Sequence, residues 1–188
     1  VYKRQDMSKR IKLNNVRLSY ANVFTARAME EGQEPKYSTQ VIVPKDHPQI
    51  KEFKKAILEV AKDKFPKLVK DNKMPAKLKS PLRDGDDERD DEPEVYGGMY
   101  FFNANNKKRP TVVDRDRTQL TEDDNVIYSG CYANVIVDLF GYDTAGNKGV
   151  SAALCGVQFK KDGEALGGKG VTADDFDEEE ADEDDYDI

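Results

Sequence analysis

Residues 126–142 read VIYSGCYANVIVDLFGY, and from Cys131 onward apolar and polar side chains alternate. Cys131, Ala133, Val135, Val137 and Leu139 fall on one face of an extended chain; Tyr132, Asn134, Ile136, Asp138, Phe140 and Tyr142 fall on the other. Successive side chains of a strand point to opposite faces, so the pattern predicts a long strand with one buried side. Residues 143–149 (DTAGNKG) have turn chemistry, and 150–159 (VSAALCGVQF) supply the returning strand of a hairpin.

The rest of the chain adds strands around this hairpin. In 9–24 (KRIKLNNVRLSYANVF) Ile11 and Leu13 share one face, while Val16, Leu18 and Tyr20 share the other. The phase change at Asn14-Asn15 predicts a bulge in a long bent strand, the device by which small barrels turn corners. Residues 26–35 form a polar loop, and 36–43 (KYSTQVIV) a β-branched strand closed by Pro44. A helix follows, with Asp46, His47 and Pro48 at its start; Ile50, Phe53, Ile57, Val60 and Ala61 make its apolar stripe, and Phe65-Pro66 ends it. Residues 62–83 hold eight bases, two acids and three prolines, and read as a basic irregular connection. The acidic block 84–94 (DGDDERDDEPE) reads as a loop, 95–106 (VYGGMYFFNANN) as a strand with Phe101 in the core, 107–109 (KKR) as a basic turn and 110–114 as a short strand.

About five β segments and one helix, without repeats or βαβ alternation, point to a mainly β fold. The expectation is an OB-fold-like five-stranded antiparallel barrel with one helix and a disordered acidic C-terminal tail. Met7 is read as the natural start, so residues 1–7 are set apart as a leader remnant and start. The barrel domain spans 8–166, a Gly-rich linker 167–173 and the tail 174–188.

Charge distribution matters more than its sum. The net charge is −7, but eleven of the 37 acids lie in 174–188, which leaves 26 acids against 30 bases in the first 173 residues. A basic body with an acidic tail is thereby hidden in an acidic total. The tail has too little apolar surface to fold alone, and its like charges repel.

Signals for catalysis are poor. The lone histidine, His47, sits where a helix starts, and no phosphate-loop, dinucleotide or nucleophile-elbow motif is present. Cys131 and Cys155 lie in apolar strands without a CxxC, as reduced thiols do in a cytosolic protein. Asp84, Asp86 and Asp87 superficially resemble a calcium loop but lack its full spacing and terminal Glu. The chain is therefore expected not to be an enzyme and to carry no metal or cofactor. No apolar run approaches the ~20 residues of a membrane helix.

Binders of unpaired nucleic acid stack bases on flat rings and track phosphates with cations. The chain has nine Tyr and eight Phe, several of them on strand faces that look wet. Tyr37, Tyr100, Phe102, Tyr132, Phe140 and Tyr142 are the expected stacking rings. Lys36, Lys77, Lys79, Lys107, Lys108 and Arg109 are the expected phosphate contacts. The tail, through Asp174, Asp175, Phe176, Asp184, Asp185, Tyr186, Asp187 and Ile188, is expected to imitate the polyanion, compete for the groove and offer apolar tips to partner proteins. Two rival readings stand beside this one: an interaction adaptor or DNA-mimic module that binds no DNA itself, and a metal-dependent nuclease built on the acidic loop.

RIKLNNVRLSYANVF, KYSTQVIVPK, KSPLRDGD, GGMYFFNANNKKRPTVVD, YSGCYANVIVDLFGYD and GVSAALCGVQFKKDGEALGG occur in this order. Together they resemble the Enc34-type family of phage single-stranded DNA-binding proteins, first catalogued as a domain of unknown function; the resemblance covers residues 8–170 and extends to the acidic tail. It implies an OB fold, a part in phage replication or recombination in the cytoplasm of the infected bacterial host, no catalysis, single-stranded DNA as ligand, and replication or recombination proteins as partners of the tail.

Overall fold

One strand of twenty residues, β1 (Ser8–Arg27), runs through the fold and changes register three times, the last between Asn22 and Arg27. The first shift, between Leu13 and Val16, is the bulge expected at Asn14-Asn15. Asn15 takes φ 55°, a left-handed conformation that asparagine tolerates better than most residues. The bulge is held from outside: Asn15 N–H donates to Asn134 Oδ1 at 3.0 Å and Asn14 N–H to Gln49 Oε1 at 2.8 Å. The second shift lies between Ser19 and Asn22, where Tyr20 takes φ 47°. The computed structural model describes residues 7–28, 30–167 and 176–179.

The other elements are β2 (Lys36–Pro44), α1 (Ile50–Lys64), β3 (Arg83–Asp84), α2 (Gly85–Glu88), α3 (Pro93–Tyr96), β4 (Met99–Asn106), β5 (Thr111–Val113), a 3-10 turn (Glu122–Asp124), β6 (Tyr132–Thr144) and β7 (Asn147–Lys161). The strand order is β3-β4-β2-β1-β6-β7-β5, and a parallel contact of β4 with β7 closes the ring. Five strands, β1, β2, β4, β7 and β6, thus make a closed barrel of the OB type, with β3 and β5 as short additions. The barrel is filled by Leu13, Val16, Leu18, Val41, Val43, Val135, Val137, Leu139 and Leu154. Helix α1 lays its predicted stripe against one end, with the Phe53 ring 4.9 Å from that of Phe102. His47 acts structurally: its Nδ1 accepts from Gln49 N–H at 3.0 Å, so its Nε2–H donates to the Asn14 carbonyl at 2.6 Å and ties the helix start to the first bulge.

Several boundaries differ from the sequence reading. Strand β6 begins at Tyr132 rather than 126, because Gly130 turns the chain at φ 113° and Cys131 N–H closes back on the Tyr128 carbonyl at 3.2 Å. The hairpin turn is tighter than 143–149. Ala145 and Gly146 both have positive φ, the geometry of a two-residue type I′ turn, and the strands pair up to Thr144 and Asn147. The acidic block is not a simple loop: it holds β3, α2 and α3. Pro93 sits in the first turn of α3, so β4 begins at Met99 instead of Val95. The leader 1–6, the linker from 168 onward, and tail residues 174–175 and 180–188 lie outside the described residues.

Phe102 is fully buried at the centre of this packing. Phe102→Ala is therefore expected to lower unfolding free energy by about 3–5 kcal/mol, read from urea denaturation. A cost below about 1 kcal/mol would place the ring outside the core.

Candidate nucleic-acid interface

Alternation along β2 puts Thr39, Val41 and Val43 into the barrel and Lys36, Ser38 and Gln40 outside it. Register then builds a polar row across three strands: Ser38 lies opposite Asn22 of β1 on one side and Asn105 of β4 on the other. Gln40 pairs with Asn103. The row floors an open groove of about 830 Å³. Arg27, Lys36 and Lys107 stand at one end of it, and Tyr20 and Arg89 at the other. Arg27 is the register partner of Lys36, an opposition of like charges that costs energy until an anion comes between them. Lys107 reaches Glu34 at 2.8 Å, but both side chains are exposed, so this pair is weak and displaceable.

The groove stops where a second, smaller core covers the same face. Ile42, Tyr96 and Phe101 are buried together there, the Tyr96 and Phe101 rings meeting edge to face at 5.4 Å. The Tyr96 hydroxyl donates to Gln40 Oε1, and the Arg89 guanidinium lies 4.2 Å from the Tyr96 ring. Burial opposes the charge of Arg89, yet hydrogen bonding with Tyr20 and the pull of Tyr96 and Glu92 outweigh it and raise its pKa. The acidic block is the scaffold of this cover. Lys45 lies 2.7 Å from both Asp84 and Asp86, and its hydrogen bonds hold both carboxyls below their usual range. Asp86 also accepts from Gly98 N–H at 3.0 Å, and Glu88 takes the Arg83 guanidinium at 2.8 Å. Apart from Arg83, the basic run 62–83 takes no part in these pairs among the described residues.

The expected ligand residues do not form one platform. Lys36 and Lys107 are in the groove, and Lys108 and Arg109 are exposed on the turn that leaves it. Phe102 must be withdrawn as a stacking ring: the face leading to Lys107 carries Phe101, Asn103 and Asn105, while Phe102 points into the barrel. Tyr37 alternates with Lys36 and is half-buried on the Thr39 side. Tyr100 packs at the opposite end of β4 against α1, taking a hydrogen bond from Lys54 at 2.9 Å. Tyr132 lies on the outer face of β6, flanked by Arg17 at 5.7 Å and Lys161 at 4.8 Å. Phe140 and Tyr142 sit near the β6–β7 turn, as does Lys79, whose backbone bonds Lys148 and Val150. Lys77 is exposed in the segment leading to Lys79. Of the tail residues named above, Phe176 alone is among those described, and it is exposed.

Tyr20, Arg27 and Arg89 escape the sequence pattern. Tyr20 reads as a core neighbour of Val16 and Leu18, but the second bulge turns it outward, to 61% exposure. Arg27 reads as loop because nothing in the pattern carries β1 so far, and Arg89 reads as one base lost among acids.

A closed five-stranded barrel with a polar, cationic groove across its first three strands has the architecture of the OB-fold oligonucleotide binders. Residues 9–186 match the family described as Enterobacter phage Enc34, ssDNA-binding protein, and the chain belongs to that family. Putative protein p50 of Acyrthosiphon pisum secondary endosymbiont phage 1 is 39% identical over 169 residues, which is 87% of this chain and 90% of that protein. The single-stranded DNA-binding protein from bacteriophage Enc34, solved in complex with ssDNA, superposes with TM-score 0.70 at 28% identity, covering 88% of this chain and 97% of that one. The gp2.5 single-stranded DNA-binding protein of bacteriophage T7 shares the fold, with TM-score 0.57 at 17% identity over 90% of this chain and 93% of that one.

A bulky residue held at positive φ and mostly exposed contributes little to the core. Tyr20→Gly is expected to leave unfolding free energy within about 1 kcal/mol of the parent, because relief of the left-handed backbone offsets the missing ring. A loss above about 2 kcal/mol in chemical denaturation would make the ring a structural element.

Proposed function

We propose that this chain binds single-stranded DNA with little sequence preference in the groove across β1, β2 and β4, as a protein of phage replication or recombination at work in the cytoplasm of the infected host. The observation that carries the reading is the groove itself, where cations stand around a floor of uncharged amides and a hydroxyl, with one exposed ring at its end. Arg27, Lys36 and Lys107 contact phosphates, with Lys108 and Arg109 beside them. Tyr20 stacks a base, and since every base has a flat face this contact is tolerant of sequence. Asn22, Ser38, Asn103 and Asn105 bond sugar and base edges without fixing one base. The scattered rings Tyr37, Tyr100, Tyr132, Phe140 and Tyr142 play no central part.

The acidic tail competes for the same groove, and its apolar tips Phe176, Tyr186 and Ile188 engage replication or recombination proteins once DNA displaces it. The course of the chain after β7 supports this. Arg17 Nη2 donates to the Glu164 carbonyl at 2.6 Å and Leu166 N–H to the Ser129 carbonyl at 2.9 Å. Leu166 then packs on the Ile42, Tyr96 and Phe101 cluster, beside the end of the groove marked by Gln40 and Arg89. The chain thus reaches the groove's own face at Leu166, and the first of the eleven acids, Asp174, follows eight residues later in the sequence.

Fluorescence anisotropy with labelled oligo-dT tests both parts. Tyr20→Ala is expected to weaken binding by about 1–3 kcal/mol. Lys36→Glu/Lys107→Glu is expected to weaken it further and to flatten the salt dependence by about 0.7 for each phosphate no longer neutralised. Unchanged affinity in both variants would refute the groove. Ending the chain at Ala173 is expected to tighten binding at low salt, by removing an internal polyanion. An affinity equal to that of the full chain would refute the competition.

A further inference from the structure

A second concave surface lies on the other side of the barrel, over β6, β7 and β5. Arg10, Lys12 and Arg117 line a cleft of about 510 Å³ floored by Asn134, Gln158 and Gly156. An adjoining hollow of about 360 Å³ shares Asn134 and Gln158 with it and adds Arg115, Lys160 and Lys161. The two are therefore continuous, and no Asp or Glu lines either. Arg10 is paired with Asp138 at 2.9 Å; the other five cations have no carboxylate partner among the described residues. So many uncompensated cations on one patch of a chain with net charge −7 repel one another, and a polyanion relieves that cost. The lining offers no open ring: Phe159 is buried, with the Arg115 guanidinium 5.5 Å from its centre. The chemistry suits phosphates and not stacked bases.

The two surfaces are joined by one short connection. Lys107 lines the groove and Thr111 lines the cleft, and between them stand exposed Lys108 and Arg109. We propose that a single strand leaving the groove crosses the 107–109 turn and lays its phosphates in the β5–β7 cleft, so that one barrel holds the strand on two faces. The inference rests on the groove reading above. It adds a site that contributes only to longer ligands, because a short oligonucleotide fills the groove alone.

The test uses the full chain and anisotropy with oligo-dT of about 5 and about 20 nucleotides, spanning the roughly 4–16 nucleotides an OB fold covers. Lys12→Glu/Arg117→Glu/Lys160→Glu is expected to bind the short oligonucleotide as the parent does. It should bind the long one about tenfold more weakly, with a salt slope shallower by about 2 for three phosphates no longer neutralised. The milder Lys12→Gln/Arg117→Gln/Lys160→Gln variant should show the same ordering with a smaller effect. Parent-like affinity at both lengths would overturn the inference and leave the groove standing. An equal weakening at both lengths would also overturn it, since that is the effect of evicting the acidic tail from a resting place in the cleft. Lys36→Glu/Lys107→Glu must lose the short oligonucleotide; if it does not, the groove reading falls and takes this inference with it.

Discussion

The barrel depends on a short parallel contact, in which Ala104 and Asn105 of β4 lie beside Ala152 and Ala153 of β7. Ala104 and Ala152 are both buried, and small side chains let the two backbones meet there. Everything else in the sheet is antiparallel, apart from β5 on its edge, and ranges from the tight β6–β7 hairpin to the pairing of β1 with the distant β6. Closing the ring turns an open sheet into a cylinder and removes its exposed edges. It also fixes which side of β2 and β4 faces outward. The row of Asn22, Ser38 and Asn105 becomes a groove floor only because the opposite parity is committed to the core.

Within that frame, backbone irregularities aim the side chains around the groove. The first bulge of β1, held by Asn134, Gln49 and His47, bends the strand around the end covered by α1. The second reverses the parity of Tyr20 and turns a ring that would have joined Leu18 inside into an exposed one beside Arg89. The acidic block serves the groove from behind. By binding Lys45, Arg83 and Arg89 it seats α2 and α3 on Ile42 and Phe101, and this cover sets where the groove ends. Asp84, Asp86, Glu88 and Glu92 are engaged in these pairs, while Asp87, Asp90 and Glu94 stay exposed to solvent.

Much of the fold was legible because periodicity is a local signal. The alternation after Cys131, the stripe from Ile50 to Ala61 and the phase change at Asn14-Asn15 each correspond to an element found in place. The site was legible only in part, because it depends on which strands become neighbours. Lys36 and Lys107 are far apart in sequence and meet in the groove, whereas Tyr100 and Phe102 are close to Lys107 in sequence but lie on the wrong parity. On β6 the outer face carries Tyr132 and Phe140 on a side of the barrel the groove across β1, β2 and β4 does not reach. No pattern of hydrophobicity announces a positive φ at a tyrosine, so Tyr20 could not be found from sequence.

Function turns on where an unpaired strand lies, and photochemical crosslinking reads that position directly. Oligo-dT bound to the full chain and irradiated is expected to form its principal adduct on the peptide containing Tyr20, as located by mass spectrometry after digestion. Adducts confined to Tyr100, Tyr132 or the Phe140–Tyr142 segment, with none at Tyr20, would contradict it.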